Sequence, residues 1–115
     1  EARVAEAARQ FDAADATPTL LIHGEDDRTV PYAGSGEAYA ALAEPRALVS
    51  FPDGGHTDVL FAEGFHEVTL GASLGFLDLY LRDDPTAWND LAEILPDPSV
   101  ATLVEAGGLP APGDA

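Results

Sequence analysis

The stretch that most constrains the fold runs from Pro18 to Pro31: Pro-Thr-Leu-Leu-Ile-His-Gly-Glu-Asp-Asp-Arg-Thr-Val-Pro. Thr19 to Ile22 is a short apolar and β-branched run, closed soon after by Gly24, and it suits a strand buried on both faces, as in a parallel sheet. Gly24 gives the chain freedom to turn. Glu25, Asp26 and Asp27 then crowd the end of that strand. Loops at the carboxyl ends of strands in open α/β sheets carry the chemistry, so one of these carboxylates is a functional candidate.

The following residues supply a partner. Ser35 is placed to cap a helix running to about Ala43, with Ala38, Tyr39 and Leu42 on one face, and Pro45 enforces its end. Ala47 to Phe51 reads as a second strand, and a helix between two buried strands makes a right-handed βαβ crossover the expected topology. The Pro52 to Gly55 turn delivers His56 just past that strand. Two parallel strands bring their ends to one edge of the sheet, so Asp27 and His56 can meet although distant in sequence.

A strand ending in His-Gly-x-x-Asp-x-x-Val-Pro, then a helix, a second strand and Gly-Gly-His, resembles the C-terminal third of the α/β-hydrolase family, over about Thr17 to Trp88. In that family the Asp three places after the Gly is the acid of the catalytic triad, and the His after the next strand is its base. By position these are Asp27 and His56. The resemblance implies a Ser nucleophile upstream of both, on a Gly-x-Ser-x-Gly elbow. None stands between Glu1 and Asp27. It also implies an ester-cleaving reaction of the esterase, lipase or dienelactone-hydrolase kind, although other members cleave peptides, other lactones or carbon-halogen bonds with the same pair.

The chemistry asks for these two residue types. A neutral imidazole takes a proton from a weak nucleophile and returns it to the leaving group; a carboxylate on its other nitrogen fixes the tautomer and stabilises the imidazolium. Singly, each has a plainer reading, Asp27 as a turn former and His56 as solvated surface. The order strand, helix, strand gives them meaning together. His23, inside the strand, reads as a packed core histidine, and Glu25 and Asp26 as solvated turn residues, with Asp26 or Glu25 the alternative acid if the register shifts. His56, Asp58, His66 and Glu67 are metal-ligating types, but no spacing matches a zinc pattern such as His-Glu-x-x-His. No metal and no cofactor is expected.

Gly71-Ala72-Ser73-Leu74-Gly75 is a literal Gly-x-Ser-x-Gly, and His66 to Leu70 alternates as a strand could, so Ser73 is a rival nucleophile in a rearranged chain order. Against this, Leu70, Leu74, Leu77 and Leu81 recur at helical spacing, which predicts one helix from about Glu67 to Leu81. Two glycines would cost such a helix about 1 kcal/mol each.

Bulk properties bound the rest. At 115 residues the chain suffices for one modest domain, whereas a complete α/β-hydrolase needs roughly twice that; the expectation is therefore a C-terminal portion whose partner is the remainder of the hydrolase domain. A net charge of −16, with five Arg and no Lys, argues against nucleic acid. Zero Cys excludes disulfides and a thiolate nucleophile. No apolar run is long enough for a membrane span. Glu1 to Gln10 reads as a surface helix, Pro85 starts a shorter helix to about Leu95, and residues 96–115 read as an irregular extension, with a short docked strand at Val100 to Val104 as an alternative and a mobile tail from Gly107. The fold class expected is α/β, two parallel strands with a crossover helix and flanking helices. The function expected is the acid and base of a serine hydrolase acting on a small-molecule ester; the alternative is a non-catalytic fragment or interaction module.

Overall fold

The computed structural model describes residues 17–95 and 97–106. The helix expected at Glu1 to Gln10 and the tail from Gly107 lie outside them. The described elements are β1 (Thr19–Gly24), α1 (Ala33–Ala41), β2 (Arg46–Phe51), α2 (Asp58–Phe61), α3 (Phe65–Leu81), α4 (Thr86–Asn89), α5 (Leu91–Ile94) and β3 (Thr102–Ala106). The strands form one three-stranded sheet in the order β1-β2-β3. β1 and β2 pair in parallel, Thr19 opposite Arg46 through Gly24 opposite Phe51, so both chains leave the sheet at the same edge.

The pleat divides the strands into two faces. Leu20 and Ile22 of β1 and Ala47, Val49 and Phe51 of β2 join a core completed by Val59, Val68, Ala72, Phe76, Trp88 and Leu91, so α2 to α5 cover that face. His23 and Ser50, paired across the strands, belong to the opposite face, where Ser35 of α1 bonds His23 and Tyr32 bonds Ser50. Burying a side chain the size of Phe51 or Val49 fully, as here, contributes about 1.5–3 kcal/mol each. Arg46, the first residue of β2, donates from Nη1 to the carbonyls of Tyr39 and Leu42 at 2.8 Å each. It thereby closes the C-terminal end of α1, where a cation also suits the helix dipole.

Three expectations are corrected. Ser35 is not an N-cap: α1 begins two residues earlier, with Tyr32 at the N-cap position and no side-chain cap, and the Ser35 hydroxyl inside the first turn bonds His23 instead. The single helix expected after Pro85 is two short ones, α4 and α5, meeting at Asp90. Residues 102–106, within the stretch read as an irregular extension with a docked strand at Val100 to Val104 as the alternative, form β3, antiparallel to β2 with Val49 opposite Leu103; Leu103 packs on the core and Ala101 is buried, so apolar burial outweighs the surrounding Pro and Gly. The sheet is therefore mixed rather than two parallel strands alone.

For Ser73 the helix reading agrees with the structure and the rival elbow does not. α3 is continuous from Phe65 to Leu81, so Ser73 has helical neighbours on both sides and lacks the strand-to-helix turn that an elbow needs. The two glycines of its apparent motif have another use. A Cβ on Gly75 would stand 3.0 Å from the backbone nitrogen of Trp88, and one on Gly71 2.9 Å from Cδ1 of Ile94. Four residues apart, they lie on one side of the helix, as a notch into which α4 and α5 settle.

Candidate active site

Glycine at two positions allows the strand ends to converge. A Cβ on Gly24 would stand 2.1 Å from the Gly54 carbonyl oxygen, and one on Gly54 3.4 Å from Cα of Gly24 and 2.8 Å from Cβ of Phe51 in its own turn. The space is used by hydrogen bonds: the N–H of Glu25 donates to Phe51 O at 2.8 Å, and that of Asp26 to Gly54 O at 3.0 Å. Gly24 thus serves close approach; among the described glycines only Gly64 has a positive φ, so the freedom to turn expected of Gly24 is not what its position uses.

With the two loops stitched together, Asp27 and His56 meet. Nδ1 of His56 lies 2.8 Å from Oδ2 of Asp27. The Asp27 side chain is 3% exposed and that of His56 48%, an enclosed carboxylate beneath an accessible ring. The other oxygen, Oδ1, accepts the N–H of Thr29 at 2.8 Å and of Val30 at 2.7 Å. Burial by itself would push the Asp27 carboxyl up. The Val30 N–H, the His56 hydrogen bond, the Thr29 N–H and the positive charge of protonated His56 outweigh it and hold the group far below the usual carboxylate range. Asp27 is therefore an anion, and His56 must present Nδ1–H to it. That tautomer leaves Nε2 with its lone pair, as a base requires.

Asp26 stands apart. Its side chain is 61% exposed, with Oδ1 3.8 Å from Nε of Arg28, and Glu25 is exposed as well. Ser73, in the middle of α3, is not part of this arrangement. His66 turns its Nδ1 to the carbonyl of Leu60 at 3.0 Å, and among the described residues no group of three or more His, Asp or Glu converges as metal ligands would.

His23 is the residue that reading by sequence misses. It is not packed in apolar surroundings: Nε2 lies 3.0 Å from Oδ2 of Asp27 and 3.0 Å from the Val30 carbonyl, and Nδ1 lies 2.6 Å from Oγ of Ser35. The Tyr32 ring meets it edge-on, with centroids 5.6 Å apart. The available signal was the strand's alternation, which places His23 opposite the face of Leu20 and Ile22, combined with its spacing of four from Asp27. Ile22, Gly24, Asp27, Val30, His56 and Val59 line a hollow over this cluster.

A family model described as TAP-like protein, Abhydrolase_4, matches residues 2–64, a span that contains Asp27 and His56 and excludes Ser73. Among curated proteins, the uncharacterized protein YfhR of Escherichia coli, in strains K12 and O157:H7, is 44% identical over 41 residues. That alignment covers 36% of this chain and 14% of YfhR, so the chain corresponds to a small part of its curated relatives. No solved structure matches the chain significantly.

Proposed function

The chain belongs to the α/β-hydrolase-like family of TAP-like proteins, Abhydrolase_4, and from that premise we propose that it is the C-terminal portion of a serine hydrolase cleaving carboxylic esters. Asp27 is the acid and His56 the base of the triad. The Ser nucleophile and the oxyanion donors come from a remainder of the domain outside these 115 residues. The supporting observation is the 2.8 Å contact between Asp27 Oδ2 and His56 Nδ1, made by a carboxylate whose other oxygen is held by two backbone N–H groups.

In this reading His56 Nε2 takes the hydroxyl proton as the Ser oxygen attacks the ester carbonyl. The imidazolium so formed is stabilised through Nδ1–H by the Asp27 anion. Nε2–H then protonates the departing alkoxide and leaves an acyl-enzyme. Water, deprotonated by the same Nε2, attacks the acyl carbon and releases the carboxylic acid. The 48% exposure of His56 leaves its ring reachable by a nucleophile from another segment.

Two features favour a missing remainder of the domain as partner. Among the described residues β1 is an outermost strand of the sheet, yet its sequence is apolar, and an apolar edge is a template for a further strand. Leu70, Leu74, Leu77 and Leu81 line one side of α3 and are about half exposed or more, an uncovered stripe of the kind that marks an interaction surface.

The test is hydrolysis of a p-nitrophenyl ester. The full-length protein is expected to turn it over, with His56→Ala costing several orders of magnitude in kcat, and the 115-residue chain alone is expected to be inert because acyl transfer needs nucleophile and oxyanion donors. Full activity in the His56→Ala protein would refute the base; turnover by the isolated chain, abolished by that substitution, would refute a nucleophile elsewhere.

A further inference from the structure

The Asp27 carboxylate accepts four hydrogen bonds, from the Thr29 and Val30 N–H groups on Oδ1 and from His23 and His56 on Oδ2. A carboxylate has about four lone-pair sites, so this one is saturated. Three of the donors come from the strand end and loop that carry Asp27 itself; His56 is delivered by the other loop.

Nε2 of His23 faces two groups that can only accept: Oδ2 of Asp27, ionised here, and the carbonyl of Val30. The proton is therefore on Nε2, shared between them. In the neutral ring Nδ1 then accepts, and the Ser35 hydroxyl is its donor at 2.6 Å. The chain of contacts runs Ser35, His23, Asp27, His56, from α1 through the end of β1 to the loop after β2.

We infer that His23 is a positioning residue for the triad acid, holding Asp27 Oδ2 where His56 Nδ1 needs it, and that Ser35 fixes the His23 tautomer that makes this possible. The inference rests on the reading of Asp27 and His56 as acid and base. The two backbone N–H groups secure Oδ1 but leave the carboxylate able to swing about that anchor. His23 closes the swing from the opposite side, being itself fixed by Ser35 and by the edge-on ring of Tyr32. Tyr32 is held in turn by a 2.6 Å hydrogen bond to the buried Ser50. A displacement of about 1 Å at such a site can cost roughly 100-fold in rate.

The experiment uses the full-length protein with His23→Leu, His23→Gln and Ser35→Ala. Glutamine carries an amide N–H as many bonds from Cα as His Nε2, so it can restore the donor. In long-range proton-nitrogen spectra of histidine-labelled protein at neutral pH, the wild type is expected to carry a proton on His23 Nε2. His23→Leu should lower kcat roughly 10- to 100-fold with KM little changed, because the orientation matters most when the imidazolium forms. It should also shift the resonance of the His56 Nδ1 proton. His23→Gln should recover most of both, and Ser35→Ala should fall between. A bare Nε2 on wild-type His23, wild-type kcat and His56 resonance in His23→Leu, or a Gln variant no better than Leu would each overturn the inference. If His23→Leu does not fold, the wild-type tautomer and the Ser35→Ala protein decide. Wild-type activity in a His56→Ala control would instead remove the acid-base reading, while the spectra still report whether His23 holds Asp27.

Discussion

The backbone of Gly24 passes so close to that of Gly54 that a Cβ built on Gly24 would stand 2.1 Å from the Gly54 carbonyl oxygen. The obstacle is main chain, itself bonded by the Asp26 N–H at 3.0 Å, so it cannot turn aside as a side chain would. Gly24→Ala is expected to destabilise the fold by about 1–3 kcal/mol or more and to separate Asp27 from His56. A urea-unfolding midpoint equal to wild type would contradict this.

The neighbouring carboxylates predict opposite outcomes. Asp27→Asn in the full-length protein should lower kcat by about four orders of magnitude, as loss of the equivalent anion does in Ser-His-Asp enzymes. Asp26→Asn, at a side chain that is 61% exposed, should leave kcat unchanged. Steady-state kinetics with one ester separates them, and the reverse ranking would move the acid to Asp26.

The depressed Asp27 carboxyl also makes stability depend on pH. Its folded value lies below the ordinary 3.8, so the ionised form favours the folded state. That contribution is complete above about pH 4 and is lost as the pH falls from 3.8 toward the folded value. The stability gap between wild type and Asp27→Asn, followed by urea unfolding from neutral to strongly acid pH, should be full above pH 4 and close below it. A gap that widens on acidification would show the opposite sign.

Gly71 and Gly75 should respond differently to alanine. Each substitution gains about 1 kcal/mol of helix propensity. At Gly75 the new Cβ meets the backbone of Trp88 at 3.0 and 3.1 Å, and Trp88 is fully buried; overpacking of about 1–3 kcal/mol should make Gly75→Ala a net loss. At Gly71 the contact is the tip of Ile94, which can rotate, so Gly71→Ala should be neutral or stabilising. Thermal unfolding of the two variants tests the contrast.

What the sequence by itself determined are the features carried by neighbours along the chain. The apolar run before Gly24, the helical recurrence of Leu70, Leu74, Leu77 and Leu81, and the second strand at Ala47 to Phe51 each reflect a local period, and each corresponds to an element here: β1, α3 and β2. What picks Asp27 from the three acidic residues is the resemblance to the α/β-hydrolase motif, and the contacts that set Asp27 apart here are local, its Oδ1 accepting the N–H groups of Thr29 and Val30.

Only tertiary structure decided the rest, because it depends on which surfaces meet. Residues 102–106 have no strong period; they are a strand because the edge of β2 is open to them. Ser35 sits where a cap was expected, and its partner is instead His23, a strand residue twelve positions earlier. His23 looked like core because its neighbours in sequence are apolar, yet the pleat turns it away from them toward α1 and Asp27. Gly71 and Gly75 imitate an elbow in sequence, and the packing of Trp88 and Ile94 makes them a notch. A hydrogen bond or a close backbone approach joins residues distant in sequence, and no periodicity of either segment contains it until the sheet has set their separation.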